Sequence, residues 1–155
     1  MTLVIDELYD GITFTQKFRI NRSMQLAHFR PWIIKWGTPT AGDLVLQIWQ
    51  DSDMLKEVRL TAADINLAIT STYFHGQLRF DTDPLQLNHD REAEYTEYEA
   101  RLFTESMTTD ANNFYGAVRR YEQKFYDTYG TGVVAGEAPN DMVEPLGFEL
   151  FTWRY

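Results

Sequence analysis

Three histidines, two aspartate pairs and a run of glutamates are the side chains of this sequence whose types and spacing could do chemistry. His28, His75 and His89 show neither the His-x-x-x-His nor the His-Glu-x-x-His spacing of a zinc helix, so no metal is assigned to them. Asp51-Ser52-Asp53 and Asp81-Thr82-Asp83 place carboxylates two residues apart, as calcium loops do. Neither continues into the Gly and Glu of an EF-hand, and turn-forming aspartates account for both. Glu92, Glu94, Glu97 and Glu99 form an acidic run. Paired carboxylates hydrolyse glycosides only when they face each other across a cleft, roughly 5–10 Å apart. Glu97 and Glu99 fall on one side of an extended chain, which reads as a solvated row. No nucleophile elbow, P-loop or dinucleotide glycine pattern occurs, and Ser23, Ser52, Ser71 and Ser106 have no local partner to activate them. The expectation is a non-enzymatic protein with no catalytic residues and no cofactor.

Aromatic residues are the distinctive surface candidates. They make up 15% of the chain. Rings fill the space between sheets and also build flat binding surfaces. Trp49 and Tyr73 fall on polar sides of alternating runs, and His75 lies on the same side as Tyr73. Trp49, Tyr73 and His75 are therefore the candidate ligand-binding residues, stacking on a sugar or anchoring a protein contact. The alternative for the rings is a second face covered by a loop, by residues 114–129 or by a neighbouring subunit. For His75 it is an ordinary solvent-facing strand position.

The elements that must position these residues read as strands. In Asp43-Leu44-Val45-Leu46-Gln47-Ile48-Trp49, Leu44, Leu46 and Ile48 share one side and Val45, Gln47 and Trp49 the other. Residues 12–20, 73–80, 95–103 and 146–155 repeat the pattern. Residues 24–36 are apolar and extended, with Pro31 predicting an edge position, a bulge or a break, because proline cannot donate to a ladder. Residues 54–60 predict a short strand. Thr61 then caps a helical turn, with Asp64 three residues on. Asp83-Pro84 opens a short segment bearing Leu85 and Leu87. Residues 104–113 and 130–145 read as loops, and 114–129 as a short helix or an irregular excursion. The fold class expected is all-β, an antiparallel β-sandwich with one or two short helical insertions. Residues 1–11 would be an N-terminal arm or edge strand, and 12–155 the sandwich domain.

Composition narrows the partners. A formal charge of -9 on 155 residues repels phosphate backbones and anionic membranes, so neither nucleic acid nor membrane is expected. No segment approaches the roughly 18 apolar residues of a membrane helix. The chain has no cysteine, and its opening residues lack the pattern of a signal peptide. Both features fit a protein assembled in a reducing cytoplasm.

The order of elements resembles the jelly-roll β-sandwich modules of bacteriophage virion proteins and of carbohydrate-binding proteins. The pieces that carry the resemblance are Phe14-Thr15-Gln16-Lys17-Phe18, Trp36-Gly37-Thr38-Pro39-Thr40-Ala41-Gly42-Asp43-Leu44, Leu78-Arg79-Phe80, Leu85-Gln86-Leu87, Glu94-Tyr95-Thr96-Glu97-Tyr98 and Leu146-Gly147-Phe148-Glu149-Leu150. The resemblance covers residues 12–155 and transfers no catalytic residue. It implies a structural component of the virion (capsid decoration, tail or fibre), assembled in the host cytoplasm and contacting other virion proteins and copies of itself. Residues 1–11 and 130–145 would be its contact elements. The other function it implies is a module binding host-surface glycans.

Overall fold

A computed structural model describes residues 3–70, 75–120, 126–127, 133–135 and 148–153. The chain runs through β1 (Leu3–Leu8), β2 (Thr13–Ile20), β3 (Met24–Trp36), β4 (Asp43–Gln50), β5 (Asp53–Thr61), α1 (Ala62–Ala68), β6 (His75–Gln77), β7 (Phe80–Leu87), β8 (Thr96–Glu105), β9 (Phe114–Arg120), β10 (Tyr126–Asp127), β11 (Val133–Ala135) and β12 (Phe148–Trp153). All strand pairs are antiparallel. One sheet runs β1-β9-β3, with β6 and β7 along one edge of β3 and β12 beside β9 on the other. The second sheet runs β10-β11-β2-β8-β4-β5. From β1 to β9 the chain visits the first sheet, second, first, second twice, first twice, second and first.

The period-two pattern decides which face meets the other sheet. Phe14, Phe18 and Ile20 of β2, Leu44, Leu46 and Ile48 of β4, and Tyr98, Ala100 and Leu102 of β8 are buried on the inner face of the second sheet. Leu26, Phe29 and Ile33 of β3, Phe80 and Leu87 of β7, and Tyr115 and Ala117 of β9 join them from the first sheet. Each large apolar side chain buried this way stabilises the fold by roughly 1.5–3 kcal/mol. The alternation expected for residues 43–49 is borne out. Of the run expected over 95–103, where glutamate, alanine and leucine also suit a helix, residues 96–103 form a strand because their period-two face completes this core.

Pro31 does not break its own strand. β3 is continuous over 13 residues, and the interruption falls on its partner. The register Phe29↔Phe80 and Trp32↔Gln77 sets Pro31 opposite Leu78. Leu78 donates its N–H to the Pro31 carbonyl at 3.0 Å. Proline has no N–H to return, so the ladder lapses and β6 and β7 are separate strands.

Asp83-Pro84 does not open a segment but lies inside β7, where Asp83 adopts φ +65°. The register passes from Leu26↔Leu85 to His28↔Asp81, so three residues of β7 oppose Ala27. Thr82 fills this bulge and donates its hydroxyl to the Leu26 carbonyl. Lys56 of edge strand β5 meets Asp83 at 3.2 Å. A bulge and a charge pair at this rim discourage further strands from adding.

Three expectations are corrected. Residues 114–120 form β9 rather than a helix or excursion: Tyr115 and Ala117 alternate into the core, and β1 and β3 supply ladders on both sides. The loop expected over 104–113 begins later, because β8 continues to Glu105 opposite Asp43. Val133–Ala135, placed in a loop, pair with β2. Among the described residues there is one helix, α1, and it starts as expected. Thr61 accepts from Asp64 N–H at 3.1 Å, and the Asp64 carboxylate accepts from Thr61 N–H at 3.0 Å.

One end of the sandwich is closed by packed loops. Gly42 has φ +103°, and a Cβ there would lie 2.3 Å from the Met107 Cα. Gly37 has φ +67° and sits against the Asn112 carbonyl. Asn113 Oδ1 accepts from Thr38 N–H at 2.9 Å. Asp10 Oδ1 accepts from the Thr104 hydroxyl at 2.8 Å and from Met107 N–H at 3.2 Å. The turn after β1, the 37–42 turn, α1 and the 106–113 loop are thereby fixed against one another.

Candidate functional site

The candidate residues fall on different sheets. Trp49 is in β4 of the second sheet, between Glu99 and Met54 in register. His75 is in β6 of the first sheet, opposite Ile34. Tyr73 lies outside the described residues. The backbones of Trp49 and His75 therefore lie in different layers of the fold.

Trp49 is half-buried in a polar lattice over the outer face of the second sheet. Its Nε1 donates to Gln47 Oε1 at 2.9 Å, and Gln47 Nε2 donates to Glu57 Oε1 at 2.8 Å. The Arg101 guanidinium lies 4.1 Å from the indole centroid and donates to Glu99 Oε2 at 2.9 Å. Arg59 binds Glu57 at 3.1 Å, Glu105 at 2.6 Å and Asp43 at 3.5 Å. Lys17 and Arg19 both approach Glu97 at 3.5 Å. The Gln47 amide, then Arg59, hold the Glu57 carboxyl below its ordinary range. Beneath this lattice Val45 is fully buried although it faces away from the core, between Arg59 and Phe103 in register.

The outer face of the first sheet is different. Trp36 and Phe114 are register partners, stacked with centroids 5.8 Å apart and planes 13° apart. Leu8 pairs with Tyr115 at the end of β1, and extending that register by one step sets Tyr9 opposite Phe114. Leu8 and Tyr115 turn into the core, which leaves Tyr9, Phe114 and Trp36 as a row on the outside. Tyr9 is 46% and Trp36 37% exposed, and Phe114 is half-buried. The row is held from below. Tyr115 donates its hydroxyl to Asn66 Oδ1, and Asn66 Nδ2 donates to the Pro39 carbonyl at 2.8 Å. Burial pushes the Tyr115 phenol up to about 12.

Further along the same face Trp32 is half-buried and Arg79 meets Asp81 at 2.7 Å. Burial, then the charges of Arg30 and Arg79, lowers the pKa of His28 from its ordinary value. His89 of the third histidine position is tied into the opposite loop end, with its Nδ1 2.9 Å from the Thr96 hydroxyl. Among the described residues, no group of three His, Asp or Glu side chains is placed to hold a metal ion. Asp51 occupies the β4–β5 turn with φ +52°, while Asp81 and Asp83 are engaged by Arg79 and Lys56.

Sequence reasoning missed the three-ring row. Tyr9, Trp36 and Phe114 are far apart in the chain, and only the register of β1, β9 and β3 brings them together. The available signal was local and covered two of the rings: Tyr9 directly follows Leu8, and Phe114 directly precedes Tyr115.

No family model matches the chain, and neither curated proteins nor solved structures give a match.

Proposed function

We propose that this chain is a jelly roll acting as a non-enzymatic structural component of a bacteriophage virion, through protein–protein contacts. The observation that carries the reading is the strand order. β1-β9-β3-β7 facing β2-β8-β4-β5 supports it, because two interleaved Greek keys, as in viral capsid and lectin domains, call for such an order. The exposed ring row supplies the contact, since tryptophan and tyrosine are the residues that most often dominate protein interfaces. A structural role also suits the carboxylates. Glu97 and Glu99 are engaged by cations, and the Glu57 carboxyl is lowered, opposite to the raised value a general acid requires. Assembly would take place in the host cytoplasm, with other virion proteins and copies of the chain as partners.

The test is mass spectrometry of density-banded particles from a lysate of cells carrying the encoding element. The chain is expected in the particle band at fixed stoichiometry. Its confinement to the soluble fraction would overturn the reading.

One observation favours a glycan-binding module instead: the exposed indole of Trp36. Sugar recognition stacks a ring against the sugar, and Trp36 is 37% exposed. A glycan array giving signals that disappear in Trp36→Ala would favour this second reading.

A further inference from the structure

We infer that the row Tyr9–Phe114–Trp36 receives a basic, arginine-bearing segment of a partner protein. The inference rests on the docking role given to this row above and adds the chemistry of its occupant.

Charge around the row argues for it. Glu7 is exposed on β1, directly opposite Gly116 of β9 and two residues before Tyr9. Asp10 is exposed beside Tyr9, although its Oδ1 is engaged by Thr104 and Met107. Asp110 is exposed in the loop leading into Phe114. Asn112 N–H and the Asn113 amide donate to it at 2.8 and 3.1 Å, which holds its carboxyl below the ordinary range. Among the described residues, Lys35 is the cation next to Trp36 in the chain, and it lies on the opposite side of β3 and is buried. Exposed rings with carboxylates on nearby residues of the same strands and loops suit a guanidinium, which stacks on aromatic faces while its N–H groups bind acids.

The molecule already uses this chemistry once. Arg101 lies over the Trp49 ring while bound to Glu99. A second copy is a poorer occupant, because each copy carries a formal charge of -9 and would bring acid against acid.

The full chain should be titrated with an end-blocked nonapeptide alternating arginine and serine, and with its glutamate–serine counterpart, in low and high salt. Binding of the arginine peptide alone is expected, weakening as salt rises. Trp36→Ala should weaken it tenfold or more, and the pair Glu7→Gln with Asp110→Asn severalfold. The carboxylate pair is exposed, so it reads the same contact if Trp36→Ala fails to fold. No binding of the arginine peptide, equal binding of both peptides, or binding unchanged in these variants would overturn the inference. So would a dimer, seen by light scattering, that Trp36→Ala abolishes. A variant excluded from particles while the wild-type chain ignores the arginine peptide would remove only the basic occupant. Peptide binding by a chain that never enters particles would remove only the virion role.

Discussion

Leu78 gives its N–H to Pro31 at 3.0 Å and can receive none in exchange. This one missing donor divides what would be a single strand into β6 and β7. Replacing Pro31 with alanine supplies the donor. The new amide of residue 31 should be protected from hydrogen exchange, and 77–80 should exchange more slowly. A net hydrogen bond contributes about 1 kcal/mol, offset in part by roughly 0.4–1 kcal/mol of extra unfolded-chain freedom. The clearer readout is therefore protection rather than melting temperature; a freely exchanging residue-31 amide would contradict the pairing.

Tyr115 links α1 to the sheet that bears the ring row. Its folded pKa is raised to about 12 by burial, whereas an unfolded tyrosine titrates near 10. Between those values the unfolded state has lost its proton and the folded state has kept it. Stability must then fall as pH rises from about 10 towards 12, and below that window this group contributes no pH dependence. Denaturant melts across that range check the slope. Tyr115→Phe should remove this contribution and destabilise the fold by about 0.5–1.5 kcal/mol, because the half-buried Asn66 acceptor loses its donor.

Two glycines with left-handed backbones separate strain from crowding. Gly11 has φ +93° and open space around its would-be Cβ, while Gly42 has φ +103° and backbone atoms 2.3 Å away. Gly11→Ala should cost only the conformational term, about 1–2 kcal/mol. Gly42→Ala should cost clearly more, since the 106–113 loop must shift. Chemical denaturation of the two variants gives the comparison, and equal costs would mean that the two loops are not in contact.

Much of the sandwich was legible because burial and period coincide in β2, β4 and β8. Leu44, Leu46 and Ile48 had no competing reading. Phe114–Arg120 was illegible for the opposite reason: Phe114, Val118, Tyr121 and Phe125 also fit a helical spacing, and long-range pairing with β1 and β3 decided the matter. The local capping box of Thr61 and Asp64 could be read directly, since all its partners lie within four residues. The ring row could not, because register between distant strands is set by the whole core.

On the second sheet, Trp49 and Arg101 can be apportioned by a double-mutant cycle with Trp49→Leu and Arg101→Met. A coupling of about 0.5–1 kcal/mol is expected for a partly exposed cation over an indole. Additive costs in urea melts would show that the guanidinium is held by Glu99 alone.

The most direct measurement of the docking role compares wild-type and Trp36→Ala chains supplied together and counted by isotope-resolved mass spectrometry in purified particles. Trp36 touches Phe114 on the outer face and lies outside the core, so the variant should fold and yet be depleted from particles at least tenfold. Incorporation of both chains in their supplied ratio would contradict the account.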